Sequence, residues 1–418
     1  MLLGRRTAFA ALGLGVSSVG FWQRRRIARR PALETFATVR AIPVPTVEAG
    51  AIVTDAHLEA SLERVQRTVD EASALPDVDR DDLPELAVGR PDELADASHA
   101  DRRRTLEDWR AATEDVHASV AEFRYPESID ETDVETRLER ERAALTDLEV
   151  ETEYYGRTFT DAVVQHGEAE ARYRRAGRRL ELTADRELDG VSAYRLAWRY
   201  LERAAAERHD GTWFAAGIDH ATDTLARDES DYTNRVTRTL ETVHESVASS
   251  RDAVDVTHHD DEVERNYAST IVWRWLSTRD VDRVGGVPST AIDLRDACRA
   301  YTFLQCLDAF VEIPAPEFWS EGDWTVAVEA LEPAKRRAIE RITAATDEYG
   351  DDPLGRWLLA VAADRLEDGD RCLERAANGA NHLSADDWRE QRLDAFLQYR
   401  LAGVFADRIG ETMALVAE

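Results

Sequence analysis

Residues 138–180 read LERERAALTDLEVETEYYGRTFTDAVVQHGEAEARYRRAGRRL, and their spacing decides the fold class. Leu138, Leu145, Leu148, Tyr155, Phe159, Ala162, Ala169, Tyr173, Ala176 and Leu180 fall on one alternation of three- and four-residue steps. That period keeps one face of an α-helix apolar. Sustained this long, it predicts one long amphipathic helix packed in a coiled-coil-like seam. Glu141, Thr152 and His166 occupy polar gaps in the series. A polar residue such as His166 in a seam fixes register or pairs across helices. Gly156, Gly167 and Gly177 are the points where the helix could bend or divide. Its antiparallel partner would be the helices expected at 54–74 and 98–124, or a second copy of the chain, which makes a homo-oligomer through 138–180 an expectation.

The same period extends outward in both directions. Thr54 and Asp55 are placed to cap a helix with Leu58, Leu62, Val65, Val69 and Ala72 on one face. After Asp189-Gly190 the pattern turns to shorter segments richer in tryptophan. Tyr194, Trp198, Leu201 and Ala205 form one stripe, His209-Asp210-Gly211 reads as a turn, and Phe214, Ile218, Ala221 and Leu225 continue as a second helix. Gly285-Gly286-Val287-Pro288 breaks the chain before a segment at 289–311 that is apolar on two faces, the mark of a buried helix. Asp352-Pro353 opens a helix expected to stop at Gly369, Asp370 opens another, and Ser384 to Asp387 is similar to a capping box. The fold class is all-α. Its expected divisions are 1–30, a connector at 31–53 where Pro31, Pro43 and Pro45 interrupt helix, a long-helix region at 54–187, and a helical-hairpin domain at 188–418.

In the hairpin read at 353–378, Trp357, Leu358, Ala360, Leu366, Cys372 and Ala376 stand near alternating large and small positions. This stretch resembles a tetratricopeptide-type repeat. Ala360 stands where the family has glycine, Cys372 takes the second small position, and no constant repeat period runs through the chain. The resemblance implies a concave peptide-binding surface.

Composition narrows the function classes. Fifty-three basic residues face 83 acids, for a net charge of −30 over 418 residues, and Lys335 is the sole lysine. So acidic a chain is a poor nucleic-acid binder, because phosphate contacts need clustered basic side chains. Its acidic shell suits a salt-rich, halophilic cytoplasm that screens self-repulsion. Three cysteines build no disulfide framework in a chain this long, and Cys298, Cys306 and Cys372 lie on apolar helices as packing thiols.

Location is read from the uncharged run TAFAALGLGVSSVGFW at 7–22, with Arg5 and Arg6 before it and Arg24, Arg25 and Arg26 after it. Phe9, Leu12, Leu14, Val16, Val19, Phe21 and Trp22 are its anchor candidates. Sixteen helical residues span about 24 Å against a hydrocarbon core of roughly 30 Å, and flanking arginines can snorkel to close the difference. A single membrane anchor is the first reading. An export signal resembling the twin-arginine type and a plain apolar helix are its competitors. As an anchor, the arginine excess on its C-terminal side keeps the main body cytoplasmic.

Candidate chemistry is sparse. Glu114 with His117 and Glu241 with His244 have the Glu-x-x-His spacing of di-iron bundles. Glu114 lies roughly 140° round its helix from Trp109, and Glu241 about 130° from the middle of its apolar stripe, so both glutamates should face water. His258, His259 and Asp260 form the densest ligand cluster, though adjacent histidines point apart. Trp319 and Trp324 sit in an aromatic-acidic loop that suits protein recognition. No phosphate-binding glycine loop, Ser-His-Asp signature or zinc-spaced set is visible, and no cofactor is expected. The expectation is a membrane-tethered, non-enzymatic scaffold or adaptor with protein partners. An exported or surface-associated structural protein and an enzyme whose groups converge from separate helices are the alternatives.

Overall fold

A computed structural model describes residues 29–48, 50–73, 98–124, 131–149, 153–220, 230–253, 289–311 and 327–417. The described helices are α1 (residues 29–40), α2 (Asp55–Ser73), α3 (His99–Arg124), α4 (Glu131–Glu149), α5 (Phe159–Ala184), α6 (Val191–His220), α7 (Thr233–Ala253), α8 (Thr290–Val311), α9 (Leu331–Tyr349), α10 (Pro353–Asn378) and α11 (Ala385–Ala417). One short antiparallel pair, β1 (Tyr155–Gly156) with β2 (Ser230–Asp231), joins them. The class is all-α, as the periodicity predicts.

The 138–180 seam is not one helix. It is divided between α4 and α5, with β1 in the gap. Local chemistry explains the division. The chain at Gly156 folds back onto the start of α5 so closely that a Cβ there would lie 2.6 Å from the Ala162 nitrogen. Thr158 then caps α5, its Oγ1 accepting from the Asp161 N–H at 3.1 Å. The apolar positions keep their role across the break. Leu138, Leu145, Phe159, Ala162, Ala169, Tyr173, Ala176 and Leu180 are all buried, and α5 makes its largest contact with α6.

Two apolar cores, the first among α2 to α6 and the second among α1 and α7 to α11, share α5. Its first half places Phe159, Val163 and Val164 with Leu294, Leu358 and Phe405. Its second half places Ala169, Tyr173 and Leu180 with Leu58, Trp109, Leu201 and Phe214. The division expected at 187/188 therefore does not separate the cores, because α6 packs with α3 and α5 and belongs to the first of them. The segment read as buried on two faces does lie centrally, with α8 against α5, α7 and α11.

Glu170 sits on α5 where the cores meet. The Tyr154 hydroxyl donates to one of its oxygens at 2.6 Å and the Ile292 N–H to the other at 2.7 Å. Burial pushes its carboxyl up to about 7, against the pull of those two hydrogen bonds. A folded-state pKa above the unfolded one means the contribution to stability is complete below about pH 4.5 and is lost as pH rises through about 7. Wild-type urea midpoints should therefore fall between pH 5 and pH 8, and Glu170→Gln should flatten that slope. An unchanged slope in the variant would assign the titration to another group.

Two sequence turns run through helices. His209-Asp210-Gly211 lies inside α6, and Asp368-Gly369-Asp370 lies inside α10, so neither the hairpin around 209–211 nor the tetratricopeptide-like hairpin of 353–378 forms. The cause is the same at both. A Cβ at Gly211 would lie 2.4 Å from the Tyr173 ring, and one at Gly369 would lie 2.4 Å from the Tyr399 ring. The glycines admit an aromatic ring rather than a turn. Each neighbouring aspartate then pairs with a buried base, Asp210 with Arg110 and His57 and Asp370 with Lys335. Caps held where glycine punctuation did not. Asp352 accepts from Leu354 N and Gly355 N, and Ser384 with Asp387 forms a reciprocal capping box.

Part of the expected connector is helical. In α1, which contains Pro31, Phe36 and Val39 enter the second core. The sole lysine holds the helix end. Lys335 Nζ, fully buried, donates to the Val39 carbonyl at 3.0 Å and to both oxygens of Asp370 at 2.8 and 2.9 Å. Arg29 lies over the Trp388 ring at 4.7 Å and donates to the Ala380 carbonyl at 2.9 Å. Residues 29–40 are thus fixed to the helical body. No helix among the described residues is long and apolar enough to cross a membrane, and the anchor candidates from Phe9 to Trp22 lie outside those residues.

Candidate functional site: an arginine cleft among four helices

Helix α6 buries charge on the face it presents to its neighbours. Glu202, Glu207 and Asp210 are all buried. Charges taken out of water must be paired, and the first core supplies the partners. Arg110 of α3 places Nη1 3.2 Å from Glu207 and Nε 3.0 Å from Asp210. That Nε donates to the Leu106 carbonyl, so its contact with Asp210 is Coulombic. Arg172 of α5 donates to Glu207 at 3.0 Å and to Glu168 at 3.2 Å. His57 Nε2 lies 3.0 Å from Asp210, with the imidazole stacked on Trp213 at 5.9 Å.

Burial by itself would raise these carboxyls. The His57 hydrogen bond and the Arg110 charge outweigh it at Asp210 and hold that group down to about 2. Arg172 and Arg295 do the same for Glu168, also to about 2. Ser61, one turn from His57, completes the residue types of a Ser-His-Asp set. Its Oγ and His57 Nδ1 are both buried without a hydrogen-bond partner, so the bond that would activate the serine is missing.

On its other side Glu202 forms the floor of a cleft of about 450 Å³. Three bases meet its carboxylate: Arg64 of α2, Arg137 of α4 at 2.8 Å and His117 of α3 at 3.1 Å. Glu141 of α4 forms a wall. Arg208 of α6 donates to it through Nε at 3.1 Å and Nη2 at 2.9 Å, and Arg140 lies 3.5 Å away. Arg67 and Glu71 stand exposed at the rim. Helical spacing explains the assembly. Positions 64, 67, 68 and 71 share one face of α2, as 137, 140 and 141 do on α4. Burial holds the His117 imidazole below its ordinary pKa, with Arg137 and Arg64 reinforcing the effect and Glu202 opposing it. His209, at the cleft's edge, is lowered by burial to about 4. Both rings are neutral at pH 7. Five arginines then face three glutamates, reversing the ratio of a chain whose acids outnumber its bases 83 to 53.

The residues singled out from sequence fare differently. Glu114 does not face water. It turns toward α6 and pairs with Arg199 at 3.1 Å, while His117 joins the cleft. Glu241 and His244 are exposed on α7. Among the described residues no group of histidine, cysteine and acid side chains is set to hold a metal ion. His258, His259 and Asp260, and Trp319 and Trp324, lie outside the described residues. Cys298, Cys306 and Cys372 are buried and form no disulfide, and burial pushes the Cys298 thiol up to about 12. The cleft arginines were not legible, since a helix face rich in arginine and acid reads as solvated surface. One signal was present in Glu141, a charged residue at a seam position.

Residues 233–418 match the model of a family described as a domain of unknown function (DUF8264). The match takes in α7 to α11, less than half of the chain, and every residue of the cleft precedes it. No solved structure matches the chain.

Proposed function

We propose that this protein is a membrane-tethered helical adaptor that recognises an anionic group through the arginine cleft. The reversed charge of the cleft carries the reading. A folded chain of net charge −30 repels anions in general, so a concave site with surplus guanidinium is a specific exception to its own surface. The tether rests on the uncharged run at 7–22 between arginine clusters, and α1, which follows in sequence, is fixed to the second core through Lys335 and Arg29.

Two measurements test this. Full-length chain should sediment with membranes, and a chain lacking residues 1–28, which keeps Arg29, should stay in the supernatant. Full-length protein that is already soluble at high salt would remove the tether. In binding assays, Arg67→Glu with Arg140→Glu should lose the binding of inorganic phosphate that the wild type shows. Equal binding by both proteins would detach the cleft from recognition.

A further inference from the structure

We infer that the ligand of the cleft is a small, free phosphoryl compound carrying two linked anionic centres, of the pyrophosphate or bisphosphate class. The inference rests on the anion-recognition reading above and narrows it. The positions of the charges carry it. At the floor, one carboxylate, Glu202, is shared by Arg64 and Arg137, which leaves one positive charge uncompensated. At the wall, Glu141 is shared by Arg208 and Arg140, which leaves a second. At the rim, Arg67 and Glu71 balance. Among the described residues the surplus is therefore two charges, at two places, inside one cleft of about 450 Å³.

A single carboxylate, such as an acidic side chain, answers one of the two. A dicarboxylate answers both but sets carbon between its charges, and among the described residues Ala205 is the one apolar side chain of the lining. Linked phosphoryl groups answer both with oxygen throughout. Arginine identity adds nothing here, because this chain uses arginine almost everywhere; placement is what counts. Residues of four helices line the cleft, so one compact ligand can draw on both places at once.

The test titrates full-length protein in detergent, at fixed chloride, with pyrophosphate, succinate, acetate, a phosphoserine peptide and an acidic peptide. Heat of binding and tryptophan fluorescence are followed together. Arg137 lies over the Trp198 ring at 5.3 Å, so an anion drawing on Arg137 should change Trp198 emission, and Trp198→Phe should remove that change. Pyrophosphate should bind at least about tenfold more tightly than succinate or acetate. Arg140→Gln, at an exposed side chain, should weaken it about tenfold, the loss of one charge-assisted contact. Glu202→Gln should tighten it, because the floor surplus rises by one charge. A purely structural ion-pair cluster would show no such gain. Should Glu202→Gln not fold, the Arg140→Gln result stands by itself. Pyrophosphate binding that Arg140→Gln leaves unchanged would overturn the site. Succinate or either peptide binding as tightly as pyrophosphate would overturn the ligand class and leave anion recognition standing. No binding by any of the five would overturn both.

Discussion

Replacing Phe159 with alanine should destabilise the protein by about 3–5 kcal/mol, the usual cost of truncating a buried aromatic. Phe159 opens α5 at its entry to the second core, 5% exposed. Its ring meets Tyr232 edge-on at 5.9 Å and lies under the Arg235 guanidinium at 4.2 Å. Truncation leaves a cavity beside Val163 and Val236 in that core, and it removes the cation–π contact. Glu153, a few residues earlier and exposed, accepts a hydrogen bond from the Tyr155 hydroxyl. Glu153→Ala should change stability by less than about 0.5 kcal/mol. Chemical denaturation of both variants checks the contrast. Near-equal losses would show that the seam positions around β1 are not a core.

Arg110→Met should cost about as much, roughly 3–5 kcal/mol, for an electrostatic reason. Arg110 is 4% exposed and stands between Asp210 and Glu207, each 3% exposed. Methionine fills similar space and leaves the two carboxylates without the charge between them. His57 and Arg172 cover part of the loss, since each still pairs with one acid. Adding Asp210→Asn to Arg110→Met should recover part of the stability, because the two positions are coupled. The exposed pair Arg336 with Glu332 gives the control. Breaking it should cost less than about 1 kcal/mol. The pH dependence has a definite sign. With its folded pKa held down to about 2, Asp210 contributes stability that is present above about pH 3.8 and lost as pH falls through about 2. Without Arg110 that loss should begin at higher pH. An acid transition at the same pH in both proteins would show that Arg110 does not set the Asp210 charge state.

Much of this fold was written in local pattern. The three-and-four spacing from Leu138 to Leu180 marks positions of which all but the half-buried Leu148 and Tyr155 are buried although the helix is divided, because period depends on the backbone and on which side chains avoid water. Asp352-Pro353 and the Ser384–Asp387 box mark helix starts for an equally local reason, since the capping oxygen and the N–H it serves are two or three residues apart. The all-α class and these starts were the sequence's own. Whether Gly211 and Gly369 end a helix or admit a ring was not, because the deciding atoms belong to Tyr173 and Tyr399 on other helices. The cleft is the stronger case. Arg64, Arg137, Glu141, Glu202 and Arg208 each read as a charged position on some helix face, and nothing in their spacing says which faces meet. Only the packing of α2, α3 and α4 against α6 turns them inward, where two carboxylates shared among four guanidiniums leave positive charge in an acidic protein. Periodicity determines which side of a helix avoids water, and tertiary contact alone determines which charges become neighbours.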